Sequence, residues 1–217
     1  MLPIDHPRKL RVGIDIDGVL AIDVVYKWLD KCFYKTCWDR FKTYDSFKHF
    51  LENEKNKQYF KVKYPMSFWK NPKMYDKINY YHNQVFNILK GYKDLETESN
   101  HIDEVEFCIV SDCFKQVVDS KVRLCNRIFK AMGFEYKYFY NTKNKYEILL
   151  DVLIDDRPTN LINCKLFYKG NKKPTTILIE HEYNKLENLE HGKQYIDRVI
   201  RIENMYDISV FKEGEVR

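Results

Sequence analysis

The sequence predicts an α/β protein built on a mostly parallel sheet, and three observations carry that expectation. Five short apolar runs read as strands, a helix-period stretch lies between two of them, and oxygen-bearing side chains stand directly after three of the runs. Strands alternating with helices favour a parallel sheet, because parallel neighbours need a crossover between them.

The first run is Leu10-Arg11-Val12-Gly13-Ile14, read as a buried strand. Asp15-Ile16-Asp17-Gly18-Val19-Leu20 follows it. In extended geometry Asp15 and Asp17 point to one side. Two anions so close repel, so one is neutralised, protonated or held by a metal. Mg²⁺, which takes oxygen ligands, would relieve the repulsion. One carboxylate attacking phosphorus while the other moves a proton is aspartyl-phosphate chemistry. The same Asp-x-Asp-Gly also suits a plain turn, and by itself the motif leaves both readings open.

Residues 22–104 interrupt the alternation. Val24, Val25, Trp28, Leu29, Cys32 and Phe33 repeat at helix spacing, and so do Ile78, Tyr81, Val85, Ile88 and Leu89 ahead of Gly91. The stretch is too long for an ordinary crossover and reads as a small helical cap inserted after the first strand. The expected division is a core of residues 1–21 and 105–217 with a cap over 22–104. A cap entering at a strand end would cover the site and exclude water.

The second strand is expected at Val105–Val110, with Ser111 at its end. Val117, Val118, Lys121, Val122, Cys125, Ile128 and Phe129 predict a helix within 114–132, stopped by Gly133. Val152-Leu153-Ile154 predicts a third strand, ending in Asp155 and Asp156. Thr175–Ile179 and Arg198–Ile202 predict two more. Taken alone, Ser111 would serve as a helix cap and Lys145 as a solvated lysine. Three strands delivering oxygen-bearing side chains to one sheet edge are harder to read that way.

Bulk properties narrow the function. The chain has 217 residues, 44% hydrophobic and 32% charged, enough for one sizeable folded domain or a core with an insert. Its net charge of +5, from 37 Lys+Arg against 32 Asp+Glu, suits a phosphorylated small molecule and is too dispersed to argue for nucleic acid. No apolar run is long enough to span a membrane, and the first residues lack the apolar core of a secretory signal. The six cysteines contain no C-x-x-C pair, which predicts reduced thiols in the cytoplasm and leaves a zinc site on Cys32 and Cys37 without partners. A homodimer stays open.

With these residues in place, the chain resembles a haloacid-dehalogenase-type phosphatase. Asp15-x-Asp17-Gly18-Val19 resembles the first motif, Ser111 the second, Lys145 the third and Asp155-Asp156 the fourth. Within that superfamily it is most similar to the 5′(3′)-deoxyribonucleotidases, through Asp15–Ala21, Leu153-Ile154-Asp155-Asp156-Arg157-Pro158 and Phe68-Trp69. Similarity over residues 30–65 and 165–217 is weak. The resemblance implies a Rossmann-like core and a Mg²⁺-dependent phosphomonoesterase acting on (deoxy)ribonucleoside monophosphates. Asp15 would be the nucleophile and Asp17 the acid and base. Mg²⁺ would be held by Asp15, the Asp17 carbonyl and Asp156, with Asp155 in support. Ser111, the Asp112 backbone N–H, Lys115 and Lys145 would bind phosphate. Phe68 and Trp69 would face the base, and Ile22 and the helix from Val24 could line the same pocket. A departure is Asp112-Cys113, where those enzymes tend to have Ser-Pro. Alternatives are a phosphatase for a sugar phosphate or a polynucleotide 3′-phosphate, and a silent phosphate-binding module.

Overall fold

The computed structural model describes residues 8–25, 27, 69–169, 173–181, 184–189 and 191–211. In chain order its elements are β1 (Lys9–Ile14), α1 (Lys73–Asp76), β2 (Tyr80–His82), α2 (Asn83–Glu98), β3 (Glu104–Ser111), α3 (Val118–Met132), β4 (Tyr138–Asn141), β5 (Val152–Asp155), α4 (Pro158–Phe167), β6 (Thr175–Glu180), β7 (Arg198–Arg201) and β8 (Ile208–Val210). Six strands form one sheet in the order β4-β3-β1-β5-β6-β7, with every pairing parallel. The fold is α/β, as expected.

That strand order positions the site. From β1 the chain moves outward to β3 and β4, then returns to β5 on the other side of β1. The carboxyl ends of β1, β3 and β5 therefore flank the reversal point, where open α/β sheets bind ligands. The central strands are buried from both faces, which is why they read as continuous apolar runs. One face packs Val12, Ile14, Phe107 and Ile109 against Leu124, Ile128 and Phe129 of α3 and Val85 and Leu89 of α2. The other packs Cys108, Val110, Leu153 and Leu178 against Leu161 and Cys164 of α4. Each large side chain so buried contributes roughly 1.5–3 kcal/mol.

The helix expected at 114–132 is α3, preceded by a 3-10 turn at Lys115–Val117. Gly133 ends it in the left-handed region (φ 75°), where lack of a Cβ removes the strain. Three features differ from expectation. β4 lay outside the expected strands: it is a four-residue edge strand of half-exposed aromatics, with none of the apolar continuity of its neighbours. The stripe from Ile78 to Leu89 is divided between β2 and α2, and α2 runs through Gly91 to Glu98. Finally, α2 packs against β3, so this end of the expected cap forms part of the sheet's own helical layer. Residues 28–68, the body of the expected cap, lie outside the described residues, as do Cys32 and Cys37.

β2 pairs antiparallel with β8 in a separate two-stranded sheet. Among the described residues, no helix is long and apolar enough to cross a membrane.

Candidate active site

Asp15 sits one residue past β1 and is held there by the sheet: its N–H donates to the Ile154 carbonyl at 3.0 Å. The chain then turns tightly. Val19 and Ala21 both donate to the Ile16 carbonyl, at 3.3 and 2.8 Å, and Gly18 supplies the positive φ of 78°. Because β1 ends at Ile14, the extended-strand alternation stops short of Asp17. Asp15 and Asp17 engage different lysines, where the sequence spacing had placed them side by side.

Lys145 lies in a 3-10 turn ahead of β5 and is 4% exposed. Its ammonium stands 2.8 Å from Asp15 Oδ2 and 2.7 Å from Asp155 Oδ2. Asp155 ends β5 with no exposure, and its carboxylate also accepts from the Arg157 N–H at 2.8 Å and from Asn160 Nδ2 at 2.9 Å. Burial works against the Asp15 anion, but the charges of Lys145, Lys121 and Arg157 outweigh it and hold the carboxyl below its usual range. Burial pushes the Asp155 carboxyl up against the pull of Lys145, and the Asp15 charge adds to the rise. Burial would favour a neutral Lys145, yet Asp15 and Asp155 keep it a firm cation.

Asp156 follows directly. One carboxylate oxygen each from Asp15, Asp155 and Asp156 lie within 4.8 Å of one another, and all three residues are buried. Lys145 bridges two of these carboxylates, so the pocket carries more negative than positive charge. An all-oxygen, anionic, compact donor set fits a hard divalent cation.

Ser111 is the last residue of β3 and is buried. Its hydroxyl accepts from Lys121 Nζ at 3.0 Å, and the same ammonium pairs with Asp17 Oδ2 at 2.6 Å. Tyr75 donates its hydroxyl to the other Asp17 oxygen at 2.9 Å. The loop after Ser111 is pinned by Asn141 of β4, which accepts from the Cys113 N–H at 2.9 Å and donates to the Cys113 carbonyl at 3.1 Å.

A fourth strand contributes through its end. His181, after β6, is 2% exposed, and its Nε2 lies 2.6 Å from the Gly18 carbonyl, so the ring donates there. Burial lowers its pKa to about 4. Asn184 accepts from the His181 N–H and donates to the carbonyls of Asp156 and Ile179. The pair thus braces the Asp17-Gly18 turn and the Asp156 backbone from one side.

The structure therefore brings Asp15, Asp17, Ser111, Lys145, Asp155 and Asp156 to one sheet edge. Asp112 and Lys115 are exposed on the loop and turn after β3. Trp69 packs against the main core. Phe68 lies outside the described residues. Sequence reasoning missed Lys121, Tyr75, Asn141, Asn160 and Asn184 as site residues. Only Lys121 carried a signal: it is a lysine within the apolar stripe of α3. No family model matches the chain, and no curated protein matches it.

Proposed function

We propose that this chain is a Mg²⁺-dependent phosphomonoesterase of the haloacid-dehalogenase type, acting on deoxyribonucleoside monophosphates. One observation carries the reading: Asp15 directly follows the central strand, beside Lys145 and within a buried three-carboxylate cluster. A nucleophilic carboxylate has to remain ionised while a dianionic phosphate approaches, and fixed cations aimed at it serve that need.

Asp15 attacks phosphorus as the bond to the leaving alcohol breaks, and Asp17 gives that oxygen its proton. Water then attacks the aspartyl-phosphate, loses a proton to Asp17 and releases phosphate from Asp15. Lys145 neutralises charge on Asp15 and the phosphoryl group, and Ser111 orients a phosphoryl oxygen. Asp15, Asp156 and the Asp17 carbonyl would hold Mg²⁺, which when bound offsets repulsion between Asp15 and the phosphate. Asp155 holds Lys145 in place, since its oxygens are engaged by Lys145, Arg157 and Asn160. Trp69 would face the nucleoside. The four described cysteines are free thiols, which suits the cytoplasm.

The test is phosphate release from a panel of nucleoside 5′- and 3′-monophosphates with and without Mg²⁺. Mg²⁺-dependent release from deoxyribonucleotides is expected. No release from any nucleoside monophosphate would sink the nucleotidase reading. Turnover of sugar phosphates or polynucleotide 3′-phosphate ends alone would keep the chemistry and replace the substrate.

A further inference from the structure

Asp17 is gripped by two groups from distant parts of the chain. Lys121 Nζ occupies Oδ2 at 2.6 Å, and the Tyr75 hydroxyl occupies Oδ1 at 2.9 Å. Both donors are sealed, Lys121 at 1% and Tyr75 at 0% exposure, while the Asp17 side chain keeps 15%. The Lys121 ammonium also lies 5.1 Å from the centre of the Tyr75 ring. Taking an ammonium out of water costs several kcal/mol, and Asp17 is the anion that offsets it here.

Helix α3 fixes both donors. It carries Lys121, and its Arg127 donates to the carbonyls of Tyr75, Asp76 and Ile78 at 3.0, 3.3 and 3.1 Å. Arg123 adds a bidentate pair with Asp76 at 2.9 and 3.2 Å. The position of the Tyr75 hydroxyl is thus tied to the same helix that positions Lys121.

The two donors differ in kind. An ammonium has three donors and no acceptor, whereas a hydroxyl both donates and accepts. In the structure both donate to Asp17, so each of its carboxylate oxygens accepts from one of them. Burial and the Asp17 charge push the Tyr75 pKa far above its usual value, so the hydroxyl keeps its own proton throughout.

We propose that Lys121 and Tyr75 are positioning residues that hold the Asp17 carboxylate from both sides, one donor on each oxygen, and so fix its direction toward the leaving alcohol. This rests on the phosphatase reading above. As Asp15 bonds to phosphorus and the bond to the leaving oxygen breaks, Asp17 gives that oxygen its proton, with its carboxyl kept in place by the two donors. In the second step water attacks phosphorus and returns a proton to Asp17 as the phosphorus–Asp15 bond breaks.

The test compares two leaving groups on the full chain with Mg²⁺. A deoxyribonucleoside 5′-monophosphate must protonate its leaving alkoxide, whereas nitrophenolate leaves p-nitrophenyl phosphate without a proton. The ratio kcat/KM reports the step in which that group departs. With Lys121→Met it is expected to fall about 100-fold on the nucleotide and under about threefold on p-nitrophenyl phosphate, the size of a general-acid contribution. Tyr75→Phe removes one hydroxyl, and a loss of about tenfold confined to the nucleotide is expected. Equal losses on both substrates, in variants that melt like the unaltered protein, would overturn the proposal. If Lys121→Met does not fold, Tyr75→Phe decides by the same ratio. An unaltered protein that turns over neither substrate removes the phosphatase reading, and this assignment with it.

Discussion

The Lys145 ammonium stands 2.8 Å from Asp15 Oδ2, joining the tip of the central strand to the turn ahead of β5. Asp15→Asn keeps the shape of the side chain and removes its charge and nucleophilicity. Turnover is expected to vanish while circular dichroism and the melting profile stay close to the parent. Retained phosphate release in that variant would rule out Asp15 as the nucleophile.

Asp155 and Asp156 are adjacent but differently engaged, and their variants are expected to differ. A cation that binds the folded state alone stabilises it, by about 2.7 kcal/mol at a concentration 100 times its Kd. Mg²⁺ is therefore expected to raise the melting temperature of the parent, and Asp156→Asn to abolish that rise. Asp155→Asn disturbs the network of Lys145, Arg157 and Asn160, and is expected to lower the melt even without metal. A Mg²⁺-dependent rise retained by Asp156→Asn would contradict its place as a ligand.

Far from the site, Glu106 of β3 is 3% exposed and receives Lys137, Lys9 and Arg11. The Lys137 hydrogen bond, aided by those from Lys9 and Arg11, holds its carboxyl down at about 2 against an ordinary 4.5. A depressed carboxylate stabilises the fold above its unfolded pKa and loses that contribution as pH falls through the folded one. Glu106→Gln is therefore expected to be less stable at pH 7, with the difference from the parent shrinking between pH 4.5 and about 2. Urea denaturation at stepped pH measures it, and a difference that stays constant down to pH 3 would count against the assignment.

Gly91 lies in the interior of α2, and an added Cβ would meet nothing within 4 Å. Gly91→Ala is expected to stabilise by roughly 0.5–1 kcal/mol, because glycine loses more backbone entropy in a helix. A rise in the urea midpoint at unchanged slope would show it.

Residues whose role follows from strand position were legible beforehand. Asp15, Ser111 and Asp155 each stand where an apolar run stops, and buried parallel strands make such runs plain. Tyr75 was not legible, because its link to Asp17 spans 58 residues and depends on how Arg127 anchors the chain near α1. Asn184 was hidden for a related reason: its work is done on backbone carbonyls, which leave no trace in side-chain pattern. Lys121 was visible but ambiguous, since a lysine in an apolar stripe reads the same whether it reaches solvent or a buried anion. β4 escaped because an edge strand needs only half its surface covered.

The middle place of β1 has a consequence for how the molecule is made. Its neighbours are β3 and β5, joined to it by hydrogen bonds that span 95 and 140 residues, such as Arg11 to Glu106 and Arg11 to Asp151. Synthesised before β3 and β5, this apolar strand must wait for both partners before it is enclosed. Long-range parallel pairing is slow to form and leaves such strands open to aggregation meanwhile. The segment that holds Asp15 is thus made before either strand that shelters it, and the growing chain is exposed where the finished protein is most buried.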